Sequence, residues 1–487
     1  MRSVWACLIG LVVFLVMLAV PAPTGLSAAG WHVAAILAIM VVWWIGEAVP
    51  PPVTGLLPLM LLPVLGVMPI EETVRAHASP LLALTLGGIV LAAAARKAGL
   101  HWRIARLAVR VSGASPHRLI LAVMILCAFV AMWIATSVAV TIMMEVAVAL
   151  TASVTVGMPR EDPQARNFAC AMIIGVAYAC MFGSLATLTG NPMNALAAGM
   201  LQKHTGESLT FLDWMAFGLP VTLAGVPLSW WILTKIAFRF RLTAAGGGVA
   251  SYALPDANKW SGQERGVIAI FAVAIAFWLG MPLLRLILPG ASDAGIAVAA
   301  AILLFVLPGG SGQRMVEWSD LDRLPWGILL IIAGVIAMGA AIGQTGLDQW
   351  LAAPLRDIHA VSPWLAIVLL ALCTAWLTEL VNNIALVTIG VPVAIALATG
   401  LGVDPVPFAF VAAVCASLGF IVPGPPWLAI AVSTPPVRVP DLARAGALML
   451  IIAPLVIAAS ALFNGVAHEP KGGSNRDIAA FRNSAAP

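Results

Sequence analysis

Apolar runs long enough to cross a lipid bilayer recur from one end of this sequence to the other. A membrane-spanning helix needs about 20 predominantly apolar residues. Runs of this kind occur at Val4–Val20, Trp31–Val49, Ala216–Phe238, Arg265–Leu286 and Leu442–Ala467. Only 9% of the 487 residues are charged, whereas soluble domains carry about 25%. The sequence therefore predicts an all-α polytopic membrane protein with about 11 transmembrane helices.

The basic residues predict the orientation of these helices, because cytoplasmic loops are enriched in Lys and Arg. Between Arg96 and Arg118 there are several basic residues and no acidic residue, which marks a cytoplasmic connection. Alternating the spans from there predicts a cytoplasmic N-terminus, an extracytoplasmic C-terminus and a location in the cytoplasmic membrane. The net charge of +4 follows from this topology, so nucleic acid is not an expected partner.

The two halves of the chain resemble each other when one is shifted by 247 residues. The segment Gly87–Ala105 then falls on Gly334–Ala352, and both segments begin with Gly and contain a Gly-Leu pair at the same spacing. A polar, Gly-rich segment, Thr243–Gln263, separates the halves. Internal duplication around a site at the membrane midplane is typical of secondary transporters. We therefore expect two inverted repeats.

Each half contains a long apolar stretch with a polar interruption at its centre, at residues 118–157 and 363–402. The centre of the first stretch has no charge, Gly or Pro, and so lacks the turn residues of a solvent-exposed loop. We predict that each stretch forms a re-entrant helix hairpin with polar residues at its buried tip. These residues are Thr136 and Ser137 in the first hairpin, and Asn382 and Asn383 in the second.

An apolar helix that Gly and Pro interrupt follows each hairpin. Proline removes an amide donor and clashes with the preceding turn, so the helices are predicted to unwind at Gly190–Pro192 and Pro423–Pro426. Unwound backbone at membrane depth persists only where it is buried in protein or lines a cavity. Because freed carbonyls coordinate cations and half-helix N-termini hold anions, the two tips and the two breaks are predicted to form one binding site.

In these segments the chain resembles the divalent anion/sodium symporter family, which transports dicarboxylates, citrate and sulfate. The resemblance covers nearly the whole length and includes Trp43–Pro69, Leu86–Ala105, Thr187–Gly199 and Pro325–Leu347. It implies a scaffold domain, a mobile transport domain that moves as an elevator, and a homodimer in the lipid bilayer. It also implies a small anionic substrate and Na+ as the coupling ion, with no other cofactor.

The hairpin tips depart from the family pattern, in which each tip carries a Ser-Asn-Thr motif that binds substrate carboxylates and helps to form sodium sites. Here the motifs read Ala-Thr-Ser at Ala135–Ser137 and Asn-Asn-Ile at Asn382–Ile384, so only Asn383 keeps its family residue. Trp427 stands where the second broken helix has an asparagine in the family. Loss of two hydroxyls and the bulk of Trp427 predict a narrower and less symmetric site.

The candidate site residues follow from the tips, the breaks and the resemblance. The predicted substrate-binding residues are Thr136, Ser137, Asn194, Asn382 and Asn383. The predicted cation-binding residues are Thr136, Gly190, Asn191, Asn383 and Pro423. For Thr136 and Ser137, the rival interpretation is a hydroxyl that bonds a carbonyl one turn earlier. Glu145 is a candidate for proton coupling if burial raises its pKa, but pairing with a cation or contact with water is favoured. Glu379 is expected to make structural hydrogen bonds.

The predicted domain organisation follows the repeats. The first half comprises N-terminal scaffold helices at 1–79 and a first repeat at 80–242, with hairpin 118–157 and broken helix 168–200. A cytoplasmic linker at 243–263 follows. The second half comprises scaffold helices at 264–324, a second repeat at 325–468, with hairpin 363–402 and broken helix 406–434, and a disordered tail at 469–487.

Together these features predict a sodium-coupled secondary transporter of C4-dicarboxylate, citrate, sulfate or a similar small anion. Proton-coupled transport, or sodium-independent anion exchange, is the alternative within the same fold. An enzyme is not expected, because the sequence contains neither an HExxH metal motif nor a GxSxG elbow. A non-transporting relative that acts as a binding or receptor protein is a further alternative, and the polarity retained at both tips argues against it.

Overall fold

The computed structural model describes residues 2–46, 48–113, 115–159, 161–205, 209–242, 260–309, 313–322, 326–352, 362–381 and 383–467. Asn382, most of the predicted linker 243–263 and the predicted tail 469–487 lie outside these residues. The regular structure within them is helical. The α-helices are α1 (Arg2–Ala19), α2 (Ala28–Ile45), α3 (Pro51–Thr54), α4 (Leu57–Val64), α5 (Ile70–His77), α6 (Pro80–Lys97), α7 (Leu100–Ser112), α8 (Pro116–Ala131), α9 (Thr136–Val154), α10 (Pro163–Ser184), α11 (Pro192–Thr205), α12 (Phe211–Trp231), α13 (Gly262–Leu279), α14 (Met281–Ile287), α15 (Asp293–Val306), α16 (Gly327–Thr345), α17 (Leu347–Ala352), α18 (Pro363–Leu377), α19 (Asn383–Gly400), α20 (Pro405–Ala416), α21 (Pro426–Ser433) and α22 (Val439–Ala467).

Nine helices within the described ranges are long and apolar enough to cross a membrane. They include α9 and α19, which are the second members of two helix pairs. Other apolar segments form shorter helices, such as α3 and α4, which lie in a proline-rich stretch where missing amide donors interrupt helical hydrogen bonding. This all-helical architecture confirms the predicted polytopic membrane protein.

The two helix pairs match the predicted hairpins. Met132–Ala135 joins α8 to α9, and residues 378–381 follow α18 before α19 begins at Asn383. Both first helices begin with a proline behind a serine cap. Ser115 Oγ accepts a hydrogen bond from a backbone N–H of α8, and Ser362 Oγ accepts one from α18. Serine caps satisfy amide groups that would otherwise have no partner at a helix start, so the two hairpins begin in the same way.

The interruptions of both broken helices are longer than predicted and begin earlier. The first broken helix is α10 and α11, separated by residues 185–191, and the second is α20 and α21, separated by residues 417–425. The prolines Pro192 and Pro426 do not end the first helical segment but begin the second. The physical reason is that proline fits the first turn of a helix, where its missing N–H breaks no helical hydrogen bond.

Two glycines that the 247-residue shift places opposite each other lie at equivalent helix crossings. A Cβ atom on Gly87 of α6 would be 2.6 Å from the carbonyl oxygen of Ala297 in α15. A Cβ atom on Gly334 of α16 would overlap with the carbonyl oxygen of Gly55, directly after α3. Small residues let helix backbones approach closely. The contact of α6 with α15 is thus repeated by the contact of α16 with α3 and α4.

The same shift places Lys97 opposite Gln344, and these residues also make equivalent contacts. Lys97 Nζ lies 2.7 Å from Asp320 Oδ2, and Gln344 Nε2 donates to Glu72 Oε1. Lys97, at the end of α6, thus contacts an acidic residue in the segment before α16. Gln344, near the end of α16, contacts an acidic residue of α5, directly before α6. This reciprocity is what a two-fold relation between halves requires.

Candidate functional site

The interruption of the first broken helix is tied to the tip of the first hairpin. Thr187 Oγ1 and Thr189 Oγ1 both donate hydrogen bonds to the carbonyl oxygen of Met132. Thr187 Oγ1 also accepts from the backbone N–H of Gly190 at 3.2 Å. The two hydroxyls replace helical hydrogen bonds that the interruption has removed, so they fix residues 185–191 against the tip.

Asn194 closes the interruption from its far side. Its Nδ2 atom donates to the carbonyl oxygens of Ser184 at 2.9 Å and Thr187 at 2.8 Å. The side chain is fully buried, and its Oδ1 atom has no hydrogen-bond partner among the described residues. A buried acceptor without a partner is costly, so this oxygen is suited to a ligand.

Two backbone carbonyl oxygens also lie close to Gly190, within the same interruption. A Cβ atom on Gly190 would be 2.7 Å from the carbonyl oxygen of Ala131 and 2.6 Å from that of Ser184. Only glycine allows the backbone to approach these carbonyls so closely. Carbonyl and amide oxygens are the ligands that discontinuous membrane helices use for Na+. The neutral oxygen atoms around Gly190 and Asn194 are therefore of the chemical type that binds sodium in such helices.

The N-terminus of α9 presents amide groups at the same hairpin tip. Its N-cap residue is Ala135, whose side chain cannot cap the helix. Thr136 is buried and Ser137 is half-buried. Within the described residues, neither hydroxyl donates to a carbonyl one turn earlier. The structure therefore does not show the purely local hydrogen bonds that were the alternative role for these two residues. An uncapped helix N-terminus favours an anion through its amide groups and the helix dipole.

The second hairpin tip holds the interruption of the second broken helix through Glu379. Its Oε1 atom accepts the backbone N–H of Phe420 at 2.8 Å, and its Oε2 atom accepts those of Ile421 at 3.2 Å and Val422 at 2.8 Å. Three successive amides thus surround one carboxylate. Charge-assisted hydrogen bonds of this kind are stronger than neutral ones. As predicted, Glu379 makes structural hydrogen bonds.

Thr378 adds a second link between the same two segments. Its Oγ1 atom, which is buried, donates to the carbonyl oxygen of Ala416 at 2.8 Å and lies 3.3 Å from Asn383 Oδ1. Asn383 is the first residue of α19 and is half-buried. Its amide therefore contacts the hairpin tip through Thr378, which itself bonds the end of α20.

Helix contacts bring the two halves together in a crossed arrangement. The second arm of the first hairpin, α9, contacts α21 of the second broken helix. The second arm of the second hairpin, α19, contacts α11 of the first broken helix. Trp427, near the start of α21, is buried, and its Nε1 atom has no hydrogen-bond partner among the described residues. The side chain thus offers one buried N–H donor.

Other predicted site residues have more limited roles. Asn191 is buried, and its Oδ1 atom accepts the backbone N–H of Met193 at 3.0 Å, so this side chain caps α11. Pro423 is half-buried within the second interruption. Glu145 lies exposed on α9. Burial lowers the pKa of His101 in α7, and the charge of Glu145 opposes that shift, which places the carboxylate near this histidine.

The structure also uses residues that the sequence did not single out. Thr187, Thr189 and Thr378 link the breaks to the tips, yet threonine is common in membrane helices as a local hydrogen-bond donor. Thr187 and Thr189 flank the Gly-Asn-Pro sequence of the first break. Their position next to a predicted interruption is the signal that identifies them.

Comparison with known proteins identifies the family of this chain. The sequence profile described as citrate transporter matches residues 41–415. The sodium-dependent dicarboxylate transporter SdcS of Staphylococcus aureus is 29% identical over 461 residues, which cover 92% of this chain and 89% of SdcS.

Two solved transporter structures share the fold. The YdaH transporter of Alcanivorax borkumensis aligns with a TM-score of 0.55 at 16% identity over 95% of this chain and 97% of that chain. MtrF of Neisseria gonorrhoeae aligns with a TM-score of 0.51 at 15% identity over 95% of this chain and 94% of that chain. The protein is a secondary anion transporter, not an enzyme, and it belongs to the citrate transporter family within the divalent anion/sodium symporters.

Proposed function

We propose that the protein couples the movement of a C4-dicarboxylate, citrate or a similar small anion to sodium. The observation that carries this proposal is the fully buried Asn194 Oδ1, which has no partner among the described residues, beside converging carbonyls at Gly190. SdcS is a sodium-dependent dicarboxylate transporter, and its similarity over most of the chain supports the same coupling here.

The sodium site is centred on the first interruption. Asn194 Oδ1 and backbone oxygens around Gly190 supply neutral oxygen ligands, and Thr136 adds a hydroxyl at the adjoining tip. Asn191 contributes through its backbone, because its side-chain oxygen already caps α11. In the second half, Asn383 and the backbone at Pro423 are the candidate ligands. The second site lacks a hydroxyl at Ile384, so it binds sodium more weakly.

The substrate site lies at the hairpin tips. The N-terminus of α9 attracts a carboxylate, and Thr136 and Ser137 are the nearest hydroxyl donors on that helix. Asn382 and Asn383 are the amide groups that complete the set. Asn194, also predicted to bind substrate, already donates both N–H groups to the carbonyl oxygens of Ser184 and Thr187, so we assign its Oδ1 atom to the cation only. The N–H group of Trp427 is a further donor, and its ring favours a small substrate over a bulky one.

Transport follows an elevator movement in this proposal. The two hairpins and the two broken helices form the mobile domain within repeats 80–242 and 325–468, and the helices at 1–79 and 264–324 form the scaffold. The N-terminus is cytoplasmic and the C-terminus extracytoplasmic, and two chains associate as a homodimer. Proton-coupled transport or sodium-independent exchange is the competing mechanism, because two tip hydroxyls of the family motif are absent.

The test uses purified protein in liposomes with an inward sodium gradient, a pH gradient or neither. Uptake of labelled succinate, citrate and sulfate is measured in turn, with preloaded unlabelled anion as the control for exchange. We expect accumulation of a dicarboxylate or citrate that requires sodium. Uptake that ignores sodium and follows pH or internal anion would establish the competing mechanism instead.

Two variants assign the site. Asn383→Leu is expected to abolish uptake, because it removes the amide at the second tip. Thr388→Val lies on the same helix, where the Thr388 hydroxyl bonds only the carbonyl of Ile384 one turn earlier, and it is expected to transport normally. Full activity of Asn383→Leu would place the substrate elsewhere, and the absence of uptake of every anion by the wild type would contradict transport of these substrates.

A further inference from the structure

A cavity of about 610 Å³ lies between α7, the first hairpin and α13. It is separate from the candidate functional site, because none of the predicted substrate-binding or cation-binding residues lines it. Cavities of about 300–1,000 Å³ are large enough to bury most of a small organic molecule. The cavity meets the first hairpin at Trp133 and Ile134, which belong to its tip.

The walls of this cavity differ in chemistry. The end of α6 and part of α7 supply a basic wall with Arg96, Arg103, Arg106 and Arg110, and the imidazole of His101 lies beside them. The first hairpin and α13 supply an apolar wall that includes Phe129, Ile142, Ile268 and Phe271. No acidic residue is among the described residues that line the cavity. The complementary ligand therefore has an anionic head and a long apolar body.

One arginine of the basic wall holds the wall in position. Arg103 forms a two-point ion pair with Glu264 of α13, at 2.7 Å from Nε to Oε1 and 3.0 Å from Nη2 to Oε2. Its guanidinium group also lies 4.4 Å from the centre of the Trp260 ring. Paired arginine–carboxylate geometry of this kind is specific and strong. Arg103 thus joins α7 to α13, while the other three arginines add positive charge.

The position of α7 places this cavity at the membrane surface. Gly99 and Gly113 flank the helix with φ angles of +67° and +60°, so the chain turns sharply on both sides of it. The basic residues between α6 and α8 mark the cytoplasmic side, and a basic amphipathic helix lies in the plane of the interface. Acidic phospholipids in the cytoplasmic leaflet are attracted to such basic surfaces.

We propose that an acidic phospholipid binds in this cavity, with its headgroup at Arg96 and Arg110 and an acyl chain along Phe129, Ile142 and Phe271. Basic pockets between membrane helices on the cytoplasmic side are suited to acidic headgroups. A small free anion fits the basic wall but leaves the apolar wall uncovered. A bound lipid contacts the first hairpin tip, so its occupancy influences the position of that tip.

The test uses the full-length protein in nanodiscs of phosphatidylcholine, into which phosphatidylglycerol with brominated acyl chains is titrated. Bromine quenches tryptophan fluorescence on contact, and Trp133 and Trp260 line the cavity. Brominated phosphatidylcholine at the same fraction gives the background from the other tryptophans. We expect saturable quenching with phosphatidylglycerol and only background quenching with phosphatidylcholine.

Three variants identify the binding determinants. The double variant Arg96→Gln/Arg110→Gln is expected to weaken phosphatidylglycerol binding about 25-fold, or about fivefold for each arginine. Ala272→Phe adds a ring to the apolar wall from an exposed position of α13 and is expected to abolish saturation without altering charge. Arg118→Gln is the matched control, because Arg118 is exposed at the start of α8 and does not line the cavity.

Each outcome decides the proposal. It is overturned if both lipids quench equally, if Arg118→Gln weakens binding as much as the double variant, or if Ala272→Phe leaves binding unchanged. Competition by inorganic phosphate against phosphatidylglycerol, with Ala272→Phe still binding, would identify a site for a free anion. Thermal unfolding of each variant confirms that it is folded, and Ala272→Phe tests the cavity independently of the arginines. None of these readouts depends on transport.

Discussion

In the first half of the molecule, the broken helix supplies side chains to the hairpin tip, whereas in the second half the tip supplies side chains to the broken helix. Thr187 and Thr189 in the first break donate to the carbonyl of Met132. In the second half, Thr378 and Glu379 at the tip bind carbonyl and amide groups of the break. Tip and break are thus linked in both halves, but the linking side chains belong to the break in the first half and to the tip in the second.

This difference determines which backbone amides of the two breaks are already bonded within the protein. The carboxylate of Glu379 already occupies three successive amides in the second break, so these amides are not available to an anionic substrate. In the first half, the 247-residue shift places Met132 opposite Glu379, and no carboxylate is present at that position. In the proposed function, the N-terminus of α9 and Asn194 Oδ1 are therefore the groups that meet substrate and cation.

The largest expected effect comes from removing the carboxylate that holds the second break. Glu379→Ala leaves three backbone amides without their acceptor and is expected to lower the free energy of unfolding by about 3 kcal/mol. Denaturant titration in detergent micelles measures this change. Glu72→Ala is the control, because Glu72 is exposed and bonds one glutamine, so its loss is expected to cost about 0.5 kcal/mol. Equal effects of the two variants would contradict the role of Glu379.

Alanine substitutions test whether the two halves share their helix crossings. Gly87→Ala and Gly334→Ala each force a methyl group against backbone atoms, and each is expected to cost about 2 kcal/mol of unfolding free energy. Gly88→Ala is the matched control, since the nearest atoms to its added methyl group lie 3.8 Å away on Thr189. If Gly87→Ala lowers the unfolding free energy and Gly334→Ala does not, only the crossing of α6 with α15 is close-packed.

Valine substitutions compare the hydroxyl links of the two breaks. Thr187→Val and Thr378→Val each remove a buried donor and are expected to lower the unfolding free energy by about 1.5 kcal/mol. Thr187→Val is expected to raise the sodium concentration for half-maximal uptake more than Thr378→Val, because the Thr187 hydroxyl bonds the N–H of Gly190 at the stronger proposed sodium site. Thr388→Val controls for loss of a hydroxyl that bonds within its own helix. An equal shift in sodium dependence for both variants would remove the difference between the halves.

The smallest expected effect concerns the equivalent pairs at the repeat helix ends. Lys97→Gln removes an ion pair whose side chains are 23% and 26% exposed, and it is expected to cost about 0.5 kcal/mol at low ionic strength and less at high salt. Gln344→Ala removes the neutral counterpart and is expected to show little salt dependence. Denaturant titrations at low and high salt distinguish the two, and equal salt dependence would contradict the comparison.

The ion pair of Lys97 with Asp320 is also expected to make the stability of the fold depend on pH. Burial by itself raises the pKa of Asp320, but hydrogen bonds from Lys97 and the Glu317 amide outweigh it and lower the pKa below its ordinary value. A carboxyl group with a lowered folded-state pKa stabilises the fold above its unfolded pKa, and this stabilisation is lost as pH falls through the folded value. The difference between wild type and Lys97→Gln is therefore expected to be present at neutral pH and to disappear in acid.

Local patterns were sufficient to predict a polytopic helical membrane protein with a helix interruption near Pro192 and near Pro426. Apolar runs, prolines and isolated polar residues act on the residues next to them, so they can be identified without knowing the fold. The internal match of Gly87 with Gly334 was also visible, because both crossings need a residue without a side chain. The extent of each interruption was not, because Pro192 and Pro426 begin helices instead of ending them.

The sequence by itself determined that this chain spans a membrane, repeats its architecture and places polar groups within apolar segments. Only the tertiary structure decided which of those groups already form hydrogen bonds within the protein. Thr187 meets a carbonyl 55 positions away, and Glu379 meets amides 41 to 43 positions away. Hydrogen bonding depends on distance and angle between atoms, and residues so far apart in the chain acquire these only through helix packing. For that reason, the availability of Asn194 Oδ1 and the occupied amides of the second break are properties of the fold.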